Sequence, residues 1–108
     1  MPKYMLEVNY TLDGVKGLGA EGGTARVAAA TALVESLGGK VESFYFAFGD
    51  MDAYVVMDLP NNSSAAAGAL AVNIGGGVTA RTVALLTAAE VDESVAAVKN
   101  ATYRPPGR

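Results

Sequence analysis

Arg26 is the residue whose position most needs a chemical explanation. At about 100° per residue it falls on the helical stripe of Ala30, Leu33 and Leu37, and toward the N-terminus the same stripe holds Gly23, Gly22 and Gly19. A guanidinium on an apolar stripe points at the core, where a cation is costly unless paired. The neighbouring glycines leave room for an anionic partner. That partner is either a strand carboxylate or the anionic end of a ligand; the other reading lets Arg26 snorkel outward from the helix end. Gly49-Asp50-Met51-Asp52 offers two carboxylates in a tight turn. Such residues commonly bond nearby backbone N–H groups, but one facing a cavity would partner Arg26 or act as a base. A Mg²⁺ site from this pair alone is weak, and no metal is expected. Tyr54 joins the set, although Tyr10, Tyr45 and Tyr54 also read as core rings with a polar tip. The candidate ligand-binding residues are therefore Arg26, Gly22, Gly23, Asp50, Asp52 and Tyr54, with no catalytic residue singled out.

The chain contains no histidine and no cysteine. Zinc sites, non-haem iron triads, thiolate nucleophiles and triads with a histidine base are thereby excluded. Acid–base work by Asp, Glu, Lys or Tyr stays open. Gly75-Gly76-Gly77 is no phosphate loop, because it follows a helix and precedes a strand. Gly17-x-Gly19 lacks the third glycine and the strand-to-helix context. No cofactor is expected. Arg81 reads as a solvated strand residue, and Lys3, Lys16, Lys40 and Lys99 as solvated ends and turns.

These side chains must be held by a small number of elements. Tyr4, Leu6, Val8 and Tyr10 alternate with Met5, Glu7 and Asn9, which predicts a first strand over Lys3–Thr11. Asp13-Gly14 breaks it and can cap a helix. Gly17, Gly19, Gly22 and Gly23 each disfavour helix by about 0.5–1 kcal/mol, so a kinked or late-starting helix is expected, secure over Thr24–Leu37 and stopped by Gly38-Gly39. A second strand is predicted over Val41–Phe48, with Phe44, Phe46 and Phe48 on one face and Val41, Tyr45 and Ala47 on the other. The turn at Gly49–Asp52 leads into a third strand over Ala53–Leu59. An alanine-rich helix follows over Ser64–Ile74, then a fourth strand over Val78–Leu86. Thr87-Ala88-Ala89-Glu90 is a capping box opening a last helix that runs to about Lys99, before an extended Tyr103–Arg108 tail.

The order β-α-β-β-α-β is that of the ferredoxin-like split βαβ unit. The fold class is α+β, with a four-stranded antiparallel sheet, both main helices on one face and an extra C-terminal helix. The second and third strands are apolar on both sides. A sheet covered by helices on one face usually turns polar residues outward on the other, so something must cover the second face. A second copy would do so, as in a dimeric α+β barrel, and so would the last helix and the Pro-Pro tail of the same chain.

At 108 residues the sequence is expected to form a single domain over 1–108. Hydrophobic residues make up 51% and charged ones 18%, which excludes a disordered chain. The 8 basic residues are scattered and the net charge is -3, so no nucleic-acid partner is expected. No apolar run approaches the ~20 residues of a membrane span, so no membrane partner is expected either. The Met1-Pro2-Lys3-Tyr4 start runs straight into strand, and with no cysteine the expected location is cytoplasmic.

Several segments in combination are distinctive: Lys16-Gly17-Leu18, Glu21-Gly22-Gly23-Thr24-Ala25-Arg26, Phe44-Tyr45-Phe46-Ala47-Phe48-Gly49-Asp50-Met51-Asp52, and Tyr103-Arg104-Pro105-Pro106-Gly107. Together they resemble the GYD domain family of small bacterial proteins, over nearly the whole chain. Gly49 and Asp52 match the family's hairpin pattern, whereas Met51 stands where tyrosine is usual, so no role of that phenol carries over. The family resembles the dimeric α+β barrel superfamily and has no established activity. Superfamily relatives include cofactor-independent monooxygenases, lactone isomerases and ligand-sensing modules, and many of those enzymes rely on a histidine. What the resemblance and the residues imply is a homodimer, or a higher oligomer of dimers, that binds a small organic molecule in an apolar pocket between sheet and helices, with Arg26, Asp50 and Asp52 as polar anchors. The alternatives are a cofactor-independent isomerase or oxygenase using Asp52 or a tyrosine for proton transfer, and a structural or assembly module.

Overall fold

A computed structural model describes residues 1–108. The alternating segment forms β1, Lys3–Tyr10. The glycine-punctuated stretch forms two helices, α1 (Leu12–Glu21) and α2 (Gly23–Ser36). Then follow β2 (Lys40–Phe46), β3 (Ala53–Asp58), α3 (Asn62–Ile74), β4 (Val78–Leu85) and α4 (Ala88–Val98). The sheet order is β2-β3-β1-β4, with every neighbouring pair antiparallel. This is the ferredoxin-like arrangement with one helix added at the C-terminal end.

Residues Tyr4, Val34, Val55, Met57, Leu59 and Ala65 form the core, with Leu6, Leu37, Val41 and Phe44 packed against it. The register sets Tyr4 opposite Met57 and Leu6 opposite Val55, so these residues share the helix-covered face. The buried Tyr4 hydroxyl donates to Asn62 Oδ1 at 2.6 Å, which satisfies a polar tip that would otherwise be costly to bury.

Three expectations need correction. The first helix is neither late nor merely kinked. It starts at Leu12, capped by Thr11 rather than Asp13: the Thr11 hydroxyl accepts from the Gly14 N–H at 3.2 Å. The chain then breaks at Gly22, whose φ of 85° lies in the region that favours glycine. On β2, a bulge between Val41 and Ser43 puts Val41 opposite Met57 and Phe44 opposite Val55. Val41 therefore lies on the helix side with Phe44 and Phe46, not on the opposite side. A bulge adds one residue and reverses the alternation locally. Finally, β2 ends at Phe46, which leaves Phe48 beyond the strand and fully exposed.

The other sheet face carries Met5, Glu7, Tyr45, Tyr54, Val56 and Val83. The last helix and tail do not cover it, since every residue from Val91 to Arg104 is itself exposed. The radius of gyration is 17.1 Å, against about 13 Å for a compact chain of this length. The α4 arm projects from an otherwise compact body.

Candidate functional site

The strand β1 ends at Tyr10, and the chain turns at once into α1. That turn is pinned to the loop before β4: the Thr11 N–H donates to the Gly77 carbonyl at 3.0 Å, and its hydroxyl donates to the Gly76 carbonyl at 2.8 Å. Between α1, α2 and the C-terminal end of α3 lies an open cleft of about 450 Å³. Leu18, Leu33, Val72 and Val78 supply its apolar walls, and Gly14 and Gly17 line the α1 side without adding a side chain. Its polar groups are Arg26, Glu21, Asp13 and Tyr10.

Arg26 is held by Glu21 across the Gly22 break, Nη1 to Oε1 at 3.3 Å, with the two side chains 36% and 45% exposed. This is a single-contact pair that water still reaches. Beneath it Arg26 borders a small apolar space of about 40 Å³ together with Leu6, Val8, Ala30 and Phe44. Burial pushes the Tyr10 phenol above its ordinary range, against the pull of the Arg26 guanidinium beside it. The cleft thus presents a partly engaged cation and a neutral phenol above an apolar floor.

Tyr10 also forms the edge of a second cleft of about 400 Å³, lined by Val15, Leu18, Gly23, Phe46, Phe48 and Asp52. By contrast, the apolar space between sheet and helices, where the sequence places the ligand pocket, holds only about 40 Å³. Packing of Leu37, Met57 and Leu59 fills it, and an organic molecule does not fit there.

Of the residues singled out in the sequence, Arg26 stands in the main cleft. Gly22 is the break between α1 and α2, and Gly23 lines the second cleft, where a Cβ would come within 3.1 Å of the Phe46 ring. The Asp52 carboxylate is taken by the backbone, accepting from the Tyr10 N–H at 2.8 Å. It fastens the hairpin to the end of β1 and does not meet Arg26. Asp50 is exposed and lines neither cleft. Tyr54 sits opposite Glu7 and Tyr45, on the far face of the sheet. Met51, at the family's tyrosine position, is buried, and its sulfur accepts from Asn9 Nδ2 at 3.6 Å. Arg81 lies on the edge strand β4, largely exposed and 3.7 Å from Glu7, as its solvated reading requires.

Sequence reasoning missed Tyr10, Glu21 and Asp13 as site residues. Glu21 precedes Arg26 by five positions, a spacing that a continuous helix would splay apart. Only the break at Gly22 brings the two together, and Glu21-Gly22-Gly23 was the available signal. No three carboxylates converge anywhere in the chain, and no helix is long and apolar enough to cross a membrane.

The family model described as the GYD domain matches residues 4–95, which takes in both clefts and most of α4. No curated protein and no solved structure matches the chain.

Proposed function

We propose that this chain, which belongs to the GYD domain family, binds a small organic molecule in the cleft over Tyr10 and Arg26. The observation that carries the reading is a guanidinium tied by one 3.3 Å contact to a half-exposed carboxylate, inside a cleft of about 450 Å³ with apolar walls. Small-molecule sites commonly span about 300–1,000 Å³ and combine apolar walls with a few convergent polar groups. The matching ligand has an apolar body lying along Leu33, Val72 and Val78. Its polar end, a carboxylate or carbonyl, displaces Glu21 from Arg26, and the Tyr10 hydroxyl adds a neutral donor. We further read the protein as a homodimer in which a second copy covers the open sheet face around Met5, Val56 and Val83. The enzymatic alternative gives proton transfer to Asp52 or a tyrosine. Asp52, the carboxylate expected for that part, is already bonded to the Tyr10 amide.

Native mass spectrometry of the purified protein tests the binding. The expected result is a small-molecule adduct on the wild type that is lost in Arg26→Met and weakened in Tyr10→Phe. Bare protein in every preparation, with no heat of binding toward aliphatic or aromatic carboxylic acids, overturns the reading.

A further inference from the structure

The arm formed by α4 and its tail has an apolar stripe with nothing on it. Val91, Val95 and Val98 recur at helical spacing and are 45%, 61% and 68% exposed. A capping box starts this helix firmly, with the Thr87 N–H donating to Glu90 Oε1 at 2.9 Å and the Glu90 N–H donating to Thr87 Oγ1 at 3.1 Å. A well-started helix with a bare valine stripe calls for a seat.

The body has a matching unfilled surface. The second cleft is an apolar groove of about 400 Å³ between α1 and the end of β2, beside the fully exposed Phe48 ring. The arm cannot sit in its own groove as it stands. Leu85, from which it departs, pairs with Lys3 at one end of β1, while the groove opens at Tyr10, at the other end. Those ends are about 23 Å apart along the strand, and the long axis of the molecule extends to 57 Å as the arm points away.

Surface area indicates how much is left uncovered. The chain exposes 7183 Å². A compact chain of 11.0 kDa exposes about 5,600 Å², so the excess is about 1,600 Å². Two copies that buried this excess would share about 3,100 Å², within the range of obligate homodimers. Charge agrees as well: the tail carries Lys99, Arg104 and Arg108, and the groove is lined by Asp52, with the exposed Asp50 two residues before it in the same hairpin.

We propose that the α4 arm of each chain seats its Val91/Val95/Val98 stripe in the Phe46–Phe48 groove of a second copy, with the basic tail alongside the partner's acidic hairpin. The arm then lies next to Tyr10, which both clefts share, so each copy closes one side of the other's ligand cleft. This rests on the homodimer reading and adds to it which surfaces are exchanged.

Cross-linking tests it, helped by the absence of native cysteine. Val95→Cys and Phe48→Cys are made in separate full-length chains, with Val91→Cys as a second arm position. Oxidising a mixture of arm and groove variants should give a disulfide-linked species of twice the chain mass, at a yield that neither variant reaches alone. The arm variant Val95→Glu should weaken dimerisation by about tenfold or more, as loss of a central apolar anchor does. A dimer by light scattering with no mixed cross-link at either arm position overturns the exchange and leaves the dimer standing. A cross-link confined within one chain of the Phe48→Cys/Val95→Cys double variant also overturns it. A monomer at all concentrations overturns both.

Discussion

Arg26 and Glu21 form an ion pair open to water on both sides, and such pairs contribute between 0 and about 1 kcal/mol. Arg26→Met is therefore expected to change the free energy of urea unfolding by less than about 1 kcal/mol. A loss of about 3–5 kcal/mol would instead mark a buried partner that this arrangement does not contain. A second expectation concerns Asp58. Its hydrogen bond from the Lys3 ammonium, at 2.9 Å, holds the carboxyl below its ordinary value of 3.8. With the folded value lower than the unfolded one, the unfolded chain binds more protons in that window. The contribution is complete above the unfolded value and is lost as pH falls through the folded one. Denaturation midpoints followed from neutral pH down to below 3.8 should decline, and less steeply in Asp58→Asn. An identical slope in the variant would mean that the pair is not formed. At this scale the partner that the sequence asks for beside Arg26 is Glu21, in the same stretch of chain rather than on a strand, and the Arg26 side chain stays 36% exposed. The carboxylates at 50 and 52 looked equivalent on paper. In the structure, one bonds the Tyr10 amide and the other faces solvent.

The glycines of α1 do different jobs at the scale of the element. A Cβ on Gly14 would meet the Gly77 carbonyl oxygen at 1.7 Å, so the turn into α1 and the loop before β4 can approach only with hydrogen at that position. Around Gly17 there is open space. Gly14→Ala should destabilise by about 2 kcal/mol or more, as backbone overlap forces the two loops apart. Gly17→Ala should stabilise by about 0.5–1 kcal/mol through helix propensity. Thermal denaturation of both variants checks the pair, and equal effects would contradict the packing described. Composition does not separate these two roles, because what distinguishes them is a loop from distant sequence. For the same reason the glycine-rich stretch read as poor helix, while the Thr11 cap starts a helix there that buries none of its own residues. The bulge on β2 was equally hidden, since period-two reading carries no sign of an added residue. The capping box at Thr87 was legible because it is wholly local. Thr87→Ala should weaken α4 by about 0.5–2 kcal/mol, seen as faster amide exchange from Val91 to Val98. Unchanged exchange would mean that the box does not hold the helix. The loss should carry into global unfolding only where the arm is seated.

At the scale of the molecule, the order of elements and the antiparallel sheet were readable because strand and helix periods differ clearly and the connections are short. The extent of the inner cavity was not, since it depends on how Leu37, Met57 and Leu59 interdigitate. The two-sided apolar character of the middle strands signalled an uncovered face, and the exposed arm now supplies a second uncovered surface. The account's central claim is that a ligand sits at the Tyr10 end of the sheet, over Arg26. Mapping backbone amide shifts of the labelled protein during titration with the small-molecule fraction of the source cells tests it most directly. The account predicts shifts at Gly14, Gly17, Leu18, Arg26 and Val78 that vanish in Arg26→Met, with Tyr54 and Val83 unmoved. Shifts confined to Tyr54 and Val83 on the open sheet face, or none at any residue of the cleft, would contradict it.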